Sequence, residues 1–378
     1  MKHVEIPRQR FAAGLILIVL LVGIFVIASD WSNIQKVLLQ ADWYLLPLAV
    51  LFTVVSYACV SYNFAKISRL LDIKMGEGIL TEIGFVTAAL NHVVSSGGIA
   101  GYSLRYVFMK GHGVSLQNVL AASILHFYLT SLAMLAVLPG GFAYLMLNAA
   151  IPSGVAIGLG IGTAILSVVF VLITGVVLVQ SFRRPVLEKI QRLVKRFTKR
   201  DFEETLQQFD QGLTRGVGAL KQQPKMIALV FILIALDWVT SAVVLWYCFD
   251  ALGDPVSPGM LMSGFVIGIM AGVASMIPGG LGIQEGSMAG VFNLLGVPFE
   301  QALLASILFR VIYFLLPYFA SLALYWRLIR KSDEAQSQRS RGEEENAHSH
   351  VEPRLSPYHQ RSNPGGPEDI QGNGEQGS

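Results

Sequence analysis

Long apolar runs separated by short polar stretches fill residues 1–331 of the chain. Several runs approach or exceed the roughly 20 residues that a helix needs to cross a bilayer. The runs that we interpret as full spans are about Phe11–Ala28, Trp43–Phe64, Leu116–Leu138, Val155–Val179, Met226–Phe249 and Gln301–Trp326. The pattern predicts an all-α polytopic membrane protein.

Two further apolar segments are interrupted by glycines. Their arms are about Ile79–Val94 and Ile99–Met109 around Gly97 and Gly98, and about Gly259–Ile277 and Ile283–Val297 around Gly279, Gly280 and Gly282. Non-helical backbone at membrane depth must be shielded by protein or line a wet cavity, so such interruptions indicate a binding site. Re-entrant or broken-helix hairpins would give about six to eight transmembrane helices, whereas plain turns between full spans would give up to about ten crossings.

The two interrupted segments share an order of residues. Gly84-Phe85-Val86 and Gly264-Phe265-Val266 occur at matching places, and Leu120–Leu125 later matches Leu303–Leu308. Such internal similarity is typical of a duplicated transporter half, with copies at about 79–138 and 259–326. Three full spans separate the two hairpins, so the second would enter from the opposite face. The sequence therefore predicts an inverted repeat.

Basic residues set the predicted orientation. They gather at the N-terminus, at Lys66–Lys74, at Lys110, in the loop 181–225 and after the last span, and such stretches are usually cytoplasmic. We therefore expect a multi-pass protein of the inner (cytoplasmic) membrane with both termini cytoplasmic. Apolar and basic residues alternate at helical spacing over about 185–200. This helix would lie on an anionic leaflet or pack on neighbouring loops.

The C-terminal stretch differs from the rest. Residues 332–378 are rich in Glu, Gln, Ser, Gly and Pro and poor in apolar residues, which predicts a disordered cytoplasmic tail. Residues 1–331 would then form one transmembrane domain.

Composition excludes several classes of protein. Hydrophobic residues make up 53% of the chain and charged residues 14%, whereas soluble domains carry about 25% charged residues. The 28 basic residues are distributed by membrane side rather than on one face, so no nucleic-acid partner is expected. Cys59 and Cys248 fall inside predicted spans, which leaves no disulfide framework or zinc site. Enzyme and nucleotide-binding motifs are absent, so we expect no metal or cofactor and a transporter rather than an enzyme.

Arg310 and Glu285 are the leading candidate site residues. Charged groups inside a bilayer are costly and are usually functional. The guanidinium fork of Arg310 matches a phosphate or carboxylate, and its alternative role is an ion pair with Glu285 or Asp237. Glu285 falls in the first turn of a helix, where it would contact a ligand or cap free N–H groups.

The remaining candidates belong mostly to the first copy. Both second arms begin after a glycine pair, so their N-termini would offer backbone donors to an anion, and Arg105 would add positive charge there. His126 occupies the place that the Phe309-Arg310 pair has in the second copy, and its alternative is a packing role. His92 and Asn91 have the same two interpretations, while Asp237 lies near the middle of its span.

These motifs resemble the membrane region of lysylphosphatidylglycerol synthases, a family found also as stand-alone bacterial and archaeal membrane proteins. The resemblance rests on the run Pro278–Glu285, which is similar to the family's P-x-G-x-G-x-x-E element, and on Arg310 about two dozen residues later. In the first copy, Gly97-Gly98 followed by Arg105 resembles a second family element. The similarity covers about Phe11 to Lys331.

The resemblance implies lipid translocation or handling rather than lipid synthesis, because no aminoacyl-transfer domain follows the last predicted span. The expected function is a flippase-like translocase that moves or binds an anionic-headgroup or aminoacylated phospholipid. An intramembrane enzyme acting on lipid or polyprenyl substrates, and a non-catalytic partner of a separate glycosyltransferase or synthase, are the alternatives. The first copy also departs from the family at Ser95-Ser96, at Tyr102-Ser103 and at His126, which argues against a mechanism with two carboxylates.

Overall fold

The computed structural model describes residues 39, 41–94, 99–149, 153–198 and 203–349. Within them the chain forms helices and no strand. In chain order the helices are α1 (Leu46–Leu70), α2 (Glu77–Val94), α3 (Ile99–Lys110), α4 (Leu116–Asn148), α5 (Ser153–Leu178), α6 (Gln180–Thr198), α7 (Glu203–Gln222), α8 (Pro224–Ala251), α9 (Pro258–Ala274), α10 (Ile283–Leu294), α11 (Phe299–Arg310) and α12 (Leu316–Ser349). A 3-10 turn at Pro278–Gly280 precedes α10, and a π-helical turn at Val311–Leu315 joins α11 to α12.

The predicted α-helical membrane class is confirmed. Five helices in the described part of the chain are long and apolar enough to cross a membrane: Trp43–Leu70, Leu116–Asn148, Ala156–Leu178, Pro224–Ala251 and Phe299–Gln338. Each overlaps a span predicted from the sequence. The first predicted span, Phe11–Ala28, lies outside the described residues.

The predicted end of a span at about Leu138 is wrong, because α4 continues through Pro139 to Asn148. Proline removes one backbone donor, yet it is tolerated in membrane helices where neighbouring groups bond the local backbone. The carbonyl that Pro139 leaves without its helical donor is that of Leu135. The Ser263 hydroxyl of α9 donates to a different carbonyl, that of Gly141, at 2.8 Å. The contact ties α9 to the part of α4 that follows the proline.

Both interrupted segments form pairs of short helices, α2 with α3 and α9 with α10. Their starts follow local capping rules: the Ser257 side chain accepts the Met260 N–H at 3.4 Å, and Pro258 occupies the first turn of α9. At 1.5 Å per residue, α3 and α10 are each about 18 Å long. That is shorter than the roughly 30 Å hydrocarbon core of a bilayer.

The helices share two hydrophobic cores. One gathers side chains of α9, α10 and α11 with those of α8 and the first half of α1, including Phe265, Phe292 and Phe309. The other gathers α2, α3, α4 and α7 with the second half of α1, including Phe64 and Phe108. Helices α1 and α8 contribute to both cores. Close packing of helices depends on small residues, and Gly84 of α2 lies directly against the backbone of Ser61 in α1.

The predicted soluble loop 181–225 contains the two helices α6 and α7. They are joined by the buried Arg183, whose guanidinium pairs with the Asp210 carboxylate and also donates to the Val177 carbonyl at 2.9 Å. Burial raises the pKa of the Asp210 carboxyl, but hydrogen bonds from Gln180 and Arg183 outweigh it and hold that pKa below its ordinary value.

The predicted tail is partly helical. Helix α12 continues to Ser349, beyond the predicted boundary at 331. The Glu, Gln, Ala and Arg residues of this stretch favour helix, and extending an existing helix costs far less than starting one. A compact unit ends at Gln336 and a second begins at Ser337. Residues 350–378 lie outside the described residues.

Candidate functional site

The turn before α10 is built from glycines in the left-handed region of backbone space. Gly279, Gly280 and Gly282 have φ values of 63°, 61° and 78°, which glycine adopts without the strain that a side chain would impose. The Glu285 carboxylate then bonds back to the Gly282 N–H at 2.8 Å and satisfies a free donor at the helix start. The predicted capping role of Glu285 is therefore present.

The same carboxylate pairs with Arg310. The Arg310 Nε donates to Glu285 Oε1, and a terminal nitrogen donates to the Gly279 carbonyl at 2.9 Å. Both side chains are buried, with 9% of Arg310 and 6% of Glu285 exposed. Arg310 also lies over the Phe314 ring, 4.9 Å from its centre. The end of α11 is thereby bound to the glycine turn and to the first turn of α10.

One nitrogen of Arg310 remains free. Its Nη2 atom is buried and has no hydrogen-bond partner within the described residues. The ion pair with Glu285, which the sequence left as an alternative to ligand binding, thus leaves the Nη2 amino group of the guanidinium available.

The first hairpin reaches this turn. The backbone carbonyls of His92 and Val93 lie so close to Gly279 that an added Cβ would be 3.0 Å and 2.9 Å from them. The His92 ring stacks on Phe314 at 5.0 Å, and its Nδ1 shares a hydrogen bond of 2.7 Å with the Tyr57 hydroxyl. The end of α2 therefore packs against the turn between α9 and α10.

Arg105 forms the centre of a second cluster. Its side chain is only 2% exposed, its Nε donates to the Thr87 hydroxyl at 3.1 Å, and its guanidinium lies 3.9 Å from the centre of the Phe64 ring. The guanidinium has no acidic partner among the described residues, and its Nη1 has no hydrogen bond there. His126 packs edge-on against the same Phe64 ring, with the ring centres 5.7 Å apart.

A third polar group lies between α1, α8 and the π-helical turn. The Asp237 Oδ1 accepts from the Ser56 hydroxyl at 2.5 Å and from the Tyr313 hydroxyl at 3.5 Å. The two hydroxyls lie 2.7 Å apart. The sequence offered Arg310 as a possible partner of Asp237, but Arg310 pairs with Glu285, and the structure gives Asp237 two hydroxyl partners that are distant in sequence.

Comparison with known proteins decides the family. The sequence profile described as "Lysylphosphatidylglycerol synthase TM region" matches residues 11–321. The chain belongs to this family. The resemblance drawn from the glycine motifs is thereby confirmed.

Members of the family and related proteins differ widely in size. A "UPF0104 membrane protein" from Methanothermobacter thermautotrophicus is 27% identical over 290 residues, which cover 74% of this chain and 82% of that protein. A "Phosphatidylglycerol lysyltransferase" from Staphylococcus aureus strain COL is 35% identical over 88 residues. That match covers 23% of this chain and only 10% of the lysyltransferase.

The structure divides the predicted site residues of this family member between two clusters. Arg310, Glu285 and the turn glycines lie together, and Arg105 lies with His126 beside Phe64. Among the described residues no hydrogen bond, ion pair or ring contact links Arg105 to Glu285 or Arg310. Gly97 and Gly98 lie outside the described residues.

The sequence missed the aromatic and hydroxyl side chains that join these groups. Tyr313 and Phe314 follow Arg310 by three and four residues, a spacing that places them on neighbouring helical positions. That spacing was available in the sequence. The contribution of Phe64, Thr87 and Ser56 had no such local signal, because their partners lie on other helices.

Two clefts flank the first hairpin. The larger, about 620 Å³, lies between α1, α2 and α12 and is lined by residues that include Tyr57, Phe85 and Leu316. Glu82 lies at its edge, paired with Arg327 at 3.2 Å. The smaller, about 400 Å³, lies between α2, α3 and α12, with Leu104 in its wall. Both have mainly apolar linings, as a lipid chain requires.

Proposed function

We propose that this protein is a flippase-like lipid translocase that moves lipids with an anionic headgroup between the two leaflets. The observation that carries the proposal is the environment of Arg105, which is buried without an acidic partner among the described residues. A buried charge without compensation costs several kcal/mol. A phosphate group would supply the missing charge and accept the free N–H groups.

The surroundings of Arg105 favour a lipid over a soluble anion. Thr87 and Arg105 lie on the two short helices of the first hairpin, and an apolar cleft lies on each side of that hairpin. Leu104, next to Arg105 in α3, lines one of the clefts. A headgroup at Arg105 and acyl chains along the clefts would match this division between polar and apolar surface.

The names of the relatives agree with this class of ligand. The lysyltransferase relatives are named for phosphatidylglycerol, an anionic phospholipid. We extend only the chemical class to this protein: a lipid with a phosphate, with or without an aminoacyl group.

In this proposal the second hairpin acts together with the first. The Glu285–Arg310 pair holds the glycine turn, and the Nη2 amino group of Arg310 contacts the lipid as it passes. The helix N-termini that follow Gly97-Gly98 and Gly279-Gly280-Leu281-Gly282 add backbone donors for the phosphate. His126 shapes the pocket by packing on Phe64.

The arrangement in the membrane belongs to the same proposal. The two hairpins form an inverted repeat whose tips meet inside the bilayer, which the contact between Gly279 and the end of α2 supports. The protein lies in the inner membrane with cytoplasmic termini. Helix α6, with Lys189 and Arg192 exposed on its surface, rests on the anionic cytoplasmic leaflet.

Lipid exchange in liposomes tests the role of Arg105. The purified protein is reconstituted, and the movement of fluorescent phosphatidylglycerol and phosphatidylcholine between leaflets is followed. We expect faster exchange of phosphatidylglycerol by the wild type and a loss of about tenfold or more in Arg105→Gln, because a hydrogen bond to a charged group contributes about 1.5–3 kcal/mol. Arg105→Lys should recover little, since an ammonium lacks the guanidinium fork.

Arg330→Gln is the matched control, because it removes one positive charge from an exposed position of α12. Wild-type exchange by a well-folded Arg105→Gln protein would refute the assignment. A chemically altered lipid in place of an altered leaflet distribution would instead indicate an intramembrane enzyme.

A further inference from the structure

Asp237 is an acidic residue at membrane depth, and no cation pairs with it in the described part of the chain. It lies thirteen residues after Pro224, the first residue of α8, or about 20 Å along the helix. Within the described residues the only hydrogen-bond partners of its carboxylate are the hydroxyls of Ser56 and Tyr313. An ionised carboxylate is costly in such a place, whereas a neutral carboxylic acid with hydroxyl partners is not.

No basic side chain among the described residues contacts Asp237 directly; the nearest titratable base is His92, which bonds to Tyr57 and packs beside the Tyr313 ring, 5.8 Å between centres. The titratable residues that interact with it are Tyr57 and Cys59 of α1 and Tyr313 of the π-helical turn. Helix α9 carries no titratable side chain and α4 carries no Asp, Glu, Lys or Arg, and no ion pair or side-chain hydrogen bond joins Asp237 to the charged residues described on α7 and α11. The Asp237 carboxylate is therefore neutralised by binding a proton and not by a neighbouring cation.

The hydroxyls form a chain that can reverse its direction. When Asp237 is ionised it can only accept, so Ser56 donates to it and Tyr313 donates to Ser56. When Asp237 is protonated it can donate to Ser56, which then donates to Tyr313. The Tyr313 hydroxyl is thereby released to donate elsewhere, and Ser241 is a partner within its reach. Protonation of Asp237 thus changes the bonding of Tyr313.

Tyr313 lies on the segment that follows the Glu285–Arg310 pair. It is three residues after Arg310 in the π-helical turn Val311–Leu315, and its neighbour Phe314 lies under the Arg310 guanidinium. Single π-helical turns within α-helices occur frequently at functional sites. The Tyr313 ring also stacks on Phe309, with centres 5.1 Å apart. A change at the Tyr313 hydroxyl therefore acts on the helix segment that holds Arg310.

We propose that Asp237 is a proton-binding site whose protonation is transmitted through Ser56 and Tyr313 to the Glu285–Arg310 pair. A proton from water binds the carboxylate and is released again in each transport cycle. Proton binding stands on the geometry alone, while its coupling to lipid movement rests on the proposed function. The protein would then draw on a proton gradient to move its lipid.

Infrared spectroscopy of the protein in lipid nanodiscs tests the proton site. The carbonyl band of a protonated carboxylic acid, distinct from that of a carboxylate, is recorded while the pH is changed. We expect a titrating band in the wild type that disappears in Asp237→Asn and persists in Asp250→Asn, which removes a carboxyl near the end of the same helix. Tyr313→Phe keeps the ring and should shift the band, so it carries the test if Asp237→Asn does not fold.

Lipid exchange under an imposed pH gradient tests the coupling. With one proton per lipid, the leaflet distribution should shift about tenfold per pH unit in the wild type. Asp237→Asn, which keeps the size of the side chain but binds no proton, should show no such shift. Asp250→Asn should behave as the wild type.

The two measurements separate the proposals. A titrating band that survives in folded Asp237→Asn overturns the proton site. Wild-type lipid exchange without any response to the gradient overturns the coupling and leaves the translocase standing. A band that depends on Asp237 in a protein that moves no lipid supports the proton site and counts against the proposed function.

Discussion

The two arginines at the centre of the candidate site have opposite surroundings. Arg310 is neutralised by Glu285 and bound to the Gly279 carbonyl, whereas Arg105 has a hydroxyl and two aromatic rings but no acid among the described residues. A paired arginine stabilises the parts that it joins, and an unpaired one favours an anionic ligand. The sequence assigned both residues to the same lipid, and the structure gives them different surroundings.

Removing one member of the Glu285–Arg310 pair should be worse than removing both. Glu285→Gln leaves the guanidinium buried and uncompensated, which costs about 3–5 kcal/mol when one partner of a buried pair is removed. The double variant Glu285→Gln/Arg310→Gln carries no such charge and should recover part of the loss. Thermal unfolding of the purified variants in detergent measures the difference.

Glu300→Gln is the control for this comparison, since it removes an exposed carboxylate from the first turn of α11. A double variant less stable than Glu285→Gln would contradict the explanation. It would mean that the remaining hydrogen bonds of Arg310, and not its charge, determine stability.

Close approach of α1 and α2 is the main constraint at the scale of helices. Lipid is as apolar as the helix surfaces, so association depends on close contact rather than on removal of apolar surface from water. Gly84 allows that contact, because a Cβ there would lie 2.7 Å from the Ser61 carbonyl oxygen and 2.9 Å from the Ser61 Cα. The same two helices form a wall of the larger cleft.

Gly84→Ala should therefore destabilise the protein, because the backbone of α1 cannot move aside as a flexible side chain would. Overpacking of this kind costs about 1–3 kcal/mol. Gly78→Ala in the same helix is the matched control: nothing lies within 4 Å of its added Cβ, and a gain of up to about 1 kcal/mol is expected. Thermal unfolding compares the two, and equal effects would show that α1 and α2 can separate freely.

At the scale of the whole molecule, the sequence predicted the elements better than their partners. The first hairpin arm was expected at about Ile79–Val94 and is found at Glu77–Val94, because apolar length and helix breakers are local signals. The partnership of Asp237 with Ser56 joins residues 181 positions apart, which no local pattern indicates. The π-helical turn after Arg310 likewise depends on packing between helices.

Two differences have local causes that the pattern concealed. The sequence predicts that a span ends at Leu138, just before Pro139. Proline is nevertheless tolerated within membrane helices when neighbouring groups bond the backbone. The polar composition after Lys331 predicted disorder, but the same Glu, Gln and Ala residues prolong a helix that already exists. In both cases the surrounding structure outweighed the local preference.

The inverted repeat is a prediction about the whole molecule that chemical labelling can test. Cys59 and Cys248 are buried, so replacing both with serine gives a background for single cysteines. Ser96→Cys lies between the arms of the first hairpin in the sequence, and Ile283→Cys lies at the start of α10, where the native side chain is 41% exposed. A charged maleimide added to either side of oriented membranes should reach the two positions from opposite faces, because the hairpins enter from opposite faces.

Lys110→Cys and Asp254→Cys serve as references, since they lie at the bases of the two hairpins and should label on opposite faces. Each hairpin position should share the face of its own base and react more slowly, because water reaches the middle of the membrane only through a narrow path. Labelling of Ser96→Cys from the face opposite to Lys110→Cys would show instead that α2 and α3 each cross the membrane. The two halves would then still share the order of their sequence motifs. The hairpins would not enter from opposite faces, and Gly279 and the end of α2 could not meet in the middle of the membrane.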